Sequence, residues 1–254
     1  MIPPTAARRN TFFVTLASLM VALVTAFPAN GAGDATGGEG WEPLFNGKDL
    51  TGWKYRRQQG TEAWKVVSDV RLDPTDPKKL VGSGQGGSDR AVLFRGPVEH
   101  GTDIYTEKNY GDCELHVEFN VPQRSNSGVY LLGEYEIQIL DSYGKPDDRL
   151  GPGDLGGIYI TSKPKKNAAK APGEWQSFDV VFQAPRFDAS GKKTQNARFV
   201  SVKLNGEEIQ KDVDTPKPTG SELSREEKAT GPILLQGDHG IVAFRNLRIK
   251  PTQK

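Results

Sequence analysis

The sequence predicts an all-β fold, a sandwich or jelly roll of two antiparallel sheets, and three observations predict it. Apolar and polar residues alternate with period two: Cys113, Leu115, Val117, Phe119 and Val121 interleave with Glu114, His116, Glu118 and Asn120, the pattern of a strand with one wet face. The 254 residues include 29 glycines and 17 prolines, enough turn formers to separate many short strands. Helical periodicity is nearly absent.

The elements follow in order. Residues 64–67 and 91–94 are short strands, and 113–121 is the alternating strand above. Residues 127–132 and 135–140 form two more, joined by a short turn at Leu132-Gly133-Glu134. Residues 175–183 are rich in β-branched and aromatic types. Residues 199–204 run into Asn205-Gly206, a strong hairpin signal that makes 207–211 the return strand. Residues 232–236 and 241–250 complete the set. Residues 221–229 are expected to form a short surface helix, with Ser224 and Glu227 spaced as a capping box.

The N-terminus reads differently. Arg8 and Arg9 precede a charge-free apolar run from Thr11 to Phe27, then small residues. That order is expected of a secretory signal peptide; the run, about 17 residues, is short for a bilayer-spanning anchor. The expected organisation is a signal peptide at 1–32, a flexible linker at 33–40 and a single domain at 41–254, exported to the periplasm or the medium, with no membrane span after cleavage. Charge is balanced at 33 basic against 32 acidic residues, so no basic stripe points to nucleic acid. The single cysteine, Cys113, rules out an internal disulfide and reads as a small core residue.

Candidate chemistry gathers on 135–140. Period two puts Glu134, Glu136 and Gln138 on one face and Tyr135, Ile137 and Ile139 on the other. Paired carboxylates on one strand suit acid–base work on a glycoside, although a solvated strand face explains them too. His239, between Asp238 and Gly240, is a candidate acid, base or metal ligand. Arg245 falls on the apolar parity of Ile241, Ala243, Leu247 and Ile249, where a charge must be paired or open into a cleft. Asn126 could place an amide beside that cleft. His116, Glu114 and Glu118 share a wet face and could hold a metal. Phosphate-loop, nucleophile-elbow and zinc-protease motifs are missing.

Several segments together resemble the 3-keto-disaccharide hydrolase domain family: LFNGKDLTGW at 44–53, NSGVY at 126–130, YEIQILD at 135–141, GIY at 157–159, GEW at 173–175, LNG at 204–206 and LQGDHG at 235–240, followed by FRN at 244–246. The resemblance implies a concanavalin A-like jelly roll with a concave carbohydrate cleft. It implies as substrates glycosides already oxidised to a ketone at C3, and the family is found especially in secreted proteins of bacteria that degrade glycans. Gln176 replaces the usual asparagine, the turn at 236–239 is one residue longer, and 192–196 lengthens a loop.

A C3 ketone acidifies the C2 proton, so a base, an enolate stabiliser and an acid for the leaving oxygen are needed. The resemblance casts Glu136 or His239 as base and Arg245, or a bound divalent cation, as enolate stabiliser. Glu134, Gln138, Asp141, Asn126, Tyr159 and Gln236 are candidates for holding the sugar; no other cofactor is expected. Two alternatives stand beside this: a non-catalytic carbohydrate-binding module stacking sugar on Trp53, Tyr55, Tyr143 or Tyr159, and a conventional retaining glucanase.

Overall fold

The computed structural model describes residue 1 and residues 38–252, apart from 89 and 225. The expected signal segment, beyond residue 1, lies outside the described residues, as does 33–37 of the expected linker. Residues 38–252 fall within one compact unit.

Among the described residues the strands are β1 (Glu42–Pro43), β2 (Trp53–Tyr55), β3 (Trp64–Val67), β4 (Asp69–Leu72), β5 (Leu80–Ser83), β6 (Val92–Arg95), β7 (Ile104–Thr106), β8 (Cys113–Asn120) and β9 (Asn126–Leu131). They continue as β10 (Tyr135–Leu140), β11 (Gln176–Gln183), β12 (Arg186–Phe187), β13 (Lys193–Gln195), β14 (Ala197–Leu204), β15 (Glu207–Thr215), β16 (Leu234–Leu235) and β17 (Val242–Pro251). Two antiparallel sheets dominate. The larger runs β15-β14-β11-β8-β17-β6-β3, with β1 on β17; the smaller runs β10-β9-β16-β7-β2. The protein is a jelly-roll sandwich, all-β as the alternation predicts.

The inner faces supply the core. Leu115, Val117 and Phe119 of β8 and Phe178, Val180 and Phe182 of β11 meet Val129, Leu131, Ile137 and Ile139 of the smaller sheet. Cys113 is fully buried among them, and burial pushes its thiol up to about 12, so it stays protonated and inert.

Two hairpins set the register that matters. At the β14–β15 turn, Asn205 and Gly206 have φ of 54° and 85°, the conformation Asn-Gly signals. Leu132 and Gly133 do the same between β9 and β10, with φ of 56° and 69°, and the Glu134 N–H closes on the Leu131 carbonyl at 3.0 Å. This turn pairs Glu136 with Tyr130 and Gln138 with Gly128.

The expected helix at 221–229 is not formed in the described residues, which are bends and irregular chain. Their donors are spent elsewhere: Leu223 N–H bonds the Gly133 carbonyl at 2.8 Å and Ser224 N–H bonds Glu134 Oε1 at 3.2 Å. A strap bound to the β9–β10 turn replaces it.

Candidate active site

β10 presents the two faces that period two requires. Tyr135, Ile137 and Ile139 are buried in the core. Glu134, Glu136 and Gln138 take the other face, which is not wet: they are 4%, 3% and 3% exposed. The free edge of β10 is closed as well. Glu136 N–H donates to Thr219 Oγ1 at 2.9 Å, Gln138 N–H to the Gly157 carbonyl at 2.9 Å, and Tyr159 N–H to the Glu136 carbonyl at 3.2 Å.

The pairing register lines up Glu136, Tyr130, Leu234, Tyr105 and Lys54 across the smaller sheet. Opposite residues in antiparallel strands share a face, so Tyr130 stands beside Glu136, its hydroxyl near enough to favour the carboxylate form. Burial pushes the Glu136 carboxyl up to about 7; the Tyr130 hydrogen bond and the His239 charge pull it down, while Asp103 and Asp238 push it up. Burial wins, by an amount worth ~3 kcal/mol between protonation states. The phenol of Tyr130 is raised too, chiefly by burial, and stays protonated.

The turn after β16 brings in the histidine. Arg95 Nε donates to the Gly237 carbonyl at 2.8 Å, and Gly237 N–H donates to Asp103 Oδ1 at 2.9 Å. Arg56 holds the other Asp103 oxygen at 3.1 Å. Between these anchors His239 Nδ1 donates to Asp238 Oδ1 at 2.5 Å, which leaves Nε2 for other work. One side of His239 opens on a cleft of about 330 Å³ walled by Arg95, Ser125 and Ile241. A smaller hollow, about 190 Å³, lies against Asp238, Arg57 and His100.

The remaining candidates sort by geometry. Gln236 is buried; its Nε2 lies 3.5 Å from the Tyr130 hydroxyl, and its Oε1 has no hydrogen-bond partner in the protein. Such an atom is costly to leave unpaired. Gln138 Nε2 is committed to Asn126 Oδ1 at 2.7 Å, so this pair braces itself. Asp141 accepts from Arg124 N–H at 2.9 Å and works on the turn before β9. Glu134 is turned under the strap, where burial pushes it up to about 8. Tyr159 and Tyr143 are 38% and 59% exposed. Trp53 is buried, its Nε1 bonded to the Leu44 carbonyl at 2.8 Å, and offers no stacking face.

Arg245 is not brought to this site. β17 carries a bulge between Arg245 and Arg248, with Asn246 at φ 50°. The extra residue breaks the period-two count: Val242 and Phe244 face the core before it, Leu247 and Ile249 after it. Arg245 is therefore on the outer face of the larger sheet. Its Nε bonds Glu118 Oε2 at 2.6 Å, and its guanidinium lies 4.0 Å from the Trp175 ring centre. His116 sits in the same network, bonded to Asp179 at 2.6 Å. Neither this trio nor any other group of three His, Cys, Asp or Glu among the described residues is placed to hold a metal.

Sequence reasoning missed Tyr130, Arg95, Asp103 and Arg56. Tyr130 shares the parity of Asn126 and Gly128, but its place beside Glu136 follows only from the hairpin register. The others stand at the ends of strands of three or four residues, too short for period two to mark.

The fold and these residues define a jelly-roll protein with a buried carboxyl beside a phenol on the smaller sheet and a carboxylate-held imidazole in the turn after β16. A model of the 3-keto-alpha-glucoside-1,2-lyase-like domain matches residues 40–250, and the chain belongs to that family. The 3-keto-disaccharide hydrolase of Bacteroides thetaiotaomicron is 23% identical over 167 residues, 56% of this chain and 52% of that protein, so the match spans about half of that relative's length. A crystal structure of a Parabacteroides distasonis protein provisionally described as a glycosyl hydrolase is 27% identical with a TM-score of 0.60 over 84% of each chain. A second from the same organism, 21% identical, has a TM-score of 0.54 over 85% of this chain and 95% of its own, and shares the fold. Among the described residues no helix is long and apolar enough to cross a membrane.

Proposed function

We propose that the chain is an exported hydrolase that cleaves 3-keto-glycosides by C2 proton abstraction, elimination and hydration. The observation that carries the reading is Glu136, a carboxyl buried beside Tyr130 on the smaller sheet, raised to about 7 and within the field of His239. A base poised near neutrality is what removal of a ketone-activated proton asks for. Family membership and the Bacteroides relative support the substrate class. Export rests on the apolar run behind Arg8 and Arg9.

Glu136 takes the C2 proton, and the C–H electrons form the enolate across C2, C3 and the ketone oxygen. The enolate returns its electrons to form the C1–C2 double bond as the C1–O bond breaks. The departing oxygen takes a proton from His239 Nε2, with Asp238 holding the ring. Water then adds, hydroxyl to C1 and proton to C2, so the sum is hydrolysis. Arg95, rather than Arg245, is the buried cation beside this turn and supplies positive potential to the enolate. The surroundings of Glu134 speak against a retaining glucanase, because its carboxyl is held under the strap.

The test is sugar release from synthetic 3-keto-glycosides by the chain from residue 33, with and without chelator. Glu136→Gln is expected to lower release by about 10²–10⁴-fold. Release from unoxidised glycosides, with none from the ketones, would overturn the reading.

A further inference from the structure

We propose that the cleft beside His239 is the leaving-group subsite and that it selects an anionic aglycone, one bearing a carboxylate, phosphate or sulfate. The inference rests on the function proposed above. His239 lines the cleft, and the leaving oxygen must depart toward its Nε2, so the aglycone lies in this space of about 330 Å³.

The lining is unbalanced in charge. Lys78, Arg95 and Arg124 face Glu99, three cations against one carboxylate. Arg95 is spent inward on the Gly237 and Gly96 carbonyls, each at 2.8 Å. Lys78 and Arg124 are exposed at the rim, and among the described residues neither side chain has an ion-pair partner. Glu99 is exposed and 3.9 Å from His100.

The rim is built, not incidental. Arg124 is the third residue of the turn Pro122–Ser125, closed by Ser125 N–H on the Pro122 carbonyl at 3.2 Å, and has φ of 63°. Glycine is the usual occupant of a left-handed third position. Of the seven non-glycine residues with positive φ among those described, Arg124 is the only basic one. Asp141 fixes it there through its N–H at 2.9 Å. Gln123 N–H bonds the Pro77 carbonyl at 2.8 Å and ties the Lys78 loop to the same turn. A long cation kept in a strained conformation at the mouth of a cleft is the kind of outlier retained for binding.

The experiment compares kcat/KM on 3-keto-glucosides of phenols carrying a para carboxylate, phosphate or carboxamide, the last as the neutral control. Wild type is expected to favour the anions over the amide by about 10-fold, less at ~0.5 M salt. Arg124→Gly and Lys78→Gln are each expected to cut that preference by about 3-fold, the leaving-group reactivity cancelling between variants. Arg124→Gly puts glycine where φ suits it, so folding is not at risk. The carboxylate and phosphate arms show which anion is read. An unchanged preference in the double variant overturns the subsite. If no ketone substrate is cleaved, the function reading fails separately. Calorimetric binding of the unoxidised 4-carboxyphenyl glucoside then decides the subsite: tighter than the amide and weakened in both variants supports it, equal affinity overturns it.

Discussion

The Glu136 carboxylate lies over Gly128: a Cβ built on Gly128 would stand 2.2 Å from Glu136 Oε1. The glycine is the floor on which the carboxylate rests, one strand over. Gly128 does not have positive φ, so alanine suits its backbone and must instead displace the acid. Gly128→Ala is expected to lower kcat by about 10²-fold, as a misplaced base does, while the thermal midpoint changes little. Steady-state kinetics beside a melting curve separate the two.

The acid limb of activity should follow Glu136. The base works deprotonated, so kcat/KM is expected to rise with pH through about 7. The Tyr130 hydrogen bond pulls that value down, and Tyr130→Phe removes it. The limb of the variant should move to higher pH, with the largest loss below 7. A pH–rate profile of both proteins checks the direction.

Glu134 makes a prediction about stability. Burial raises it to about 8 from 4.5; repulsion from Glu222 and Glu227 adds to this, and the Ser224 N–H and Arg56 oppose it. Between pH 4.5 and 8 the folded state holds a proton the unfolded chain has released, so stability falls as pH rises through that window. Glu134→Gln removes the titration. It should be more stable than wild type by about 1–3 kcal/mol at pH 8 and equal to it near pH 4, measured by urea unfolding.

Arg245 is expected to matter for the fold rather than for turnover. Its pair with Glu118 is partly exposed and stacks on Trp175, so Arg245→Ala should cost about 1 kcal/mol. Its kcat on a 3-keto-glycoside should stay within about 3-fold of wild type.

What the sequence disclosed and what it withheld have physical reasons. The faces of β10 were legible because a strand has period two and Tyr135, Ile137 and Ile139 must be buried. The Asn205-Gly206 hairpin was legible because few residue pairs accept its backbone. Arg245 was misplaced because one bulge reverses every face beyond it, and no local signal marks a bulge at Asn246. The 221–229 segment carries a capping pattern, but its donors at Leu223 and Ser224 bind the β9–β10 turn, a contact made across some ninety positions of chain. Tyr130 joined the site only through register, which one strand read alone does not contain.

The central claim is that Glu136 removes the C2 proton. The most direct measurement is turnover of a 3-keto-glucoside in D2O, with the released sugar read at once by mass spectrometry and proton NMR. Elimination and hydration place one deuterium at C2 of the product, and Glu136→Gln forms that product about 10²–10⁴-fold more slowly than wild type. Product that keeps its original proton at C2, released at the wild-type rate, would contradict the account.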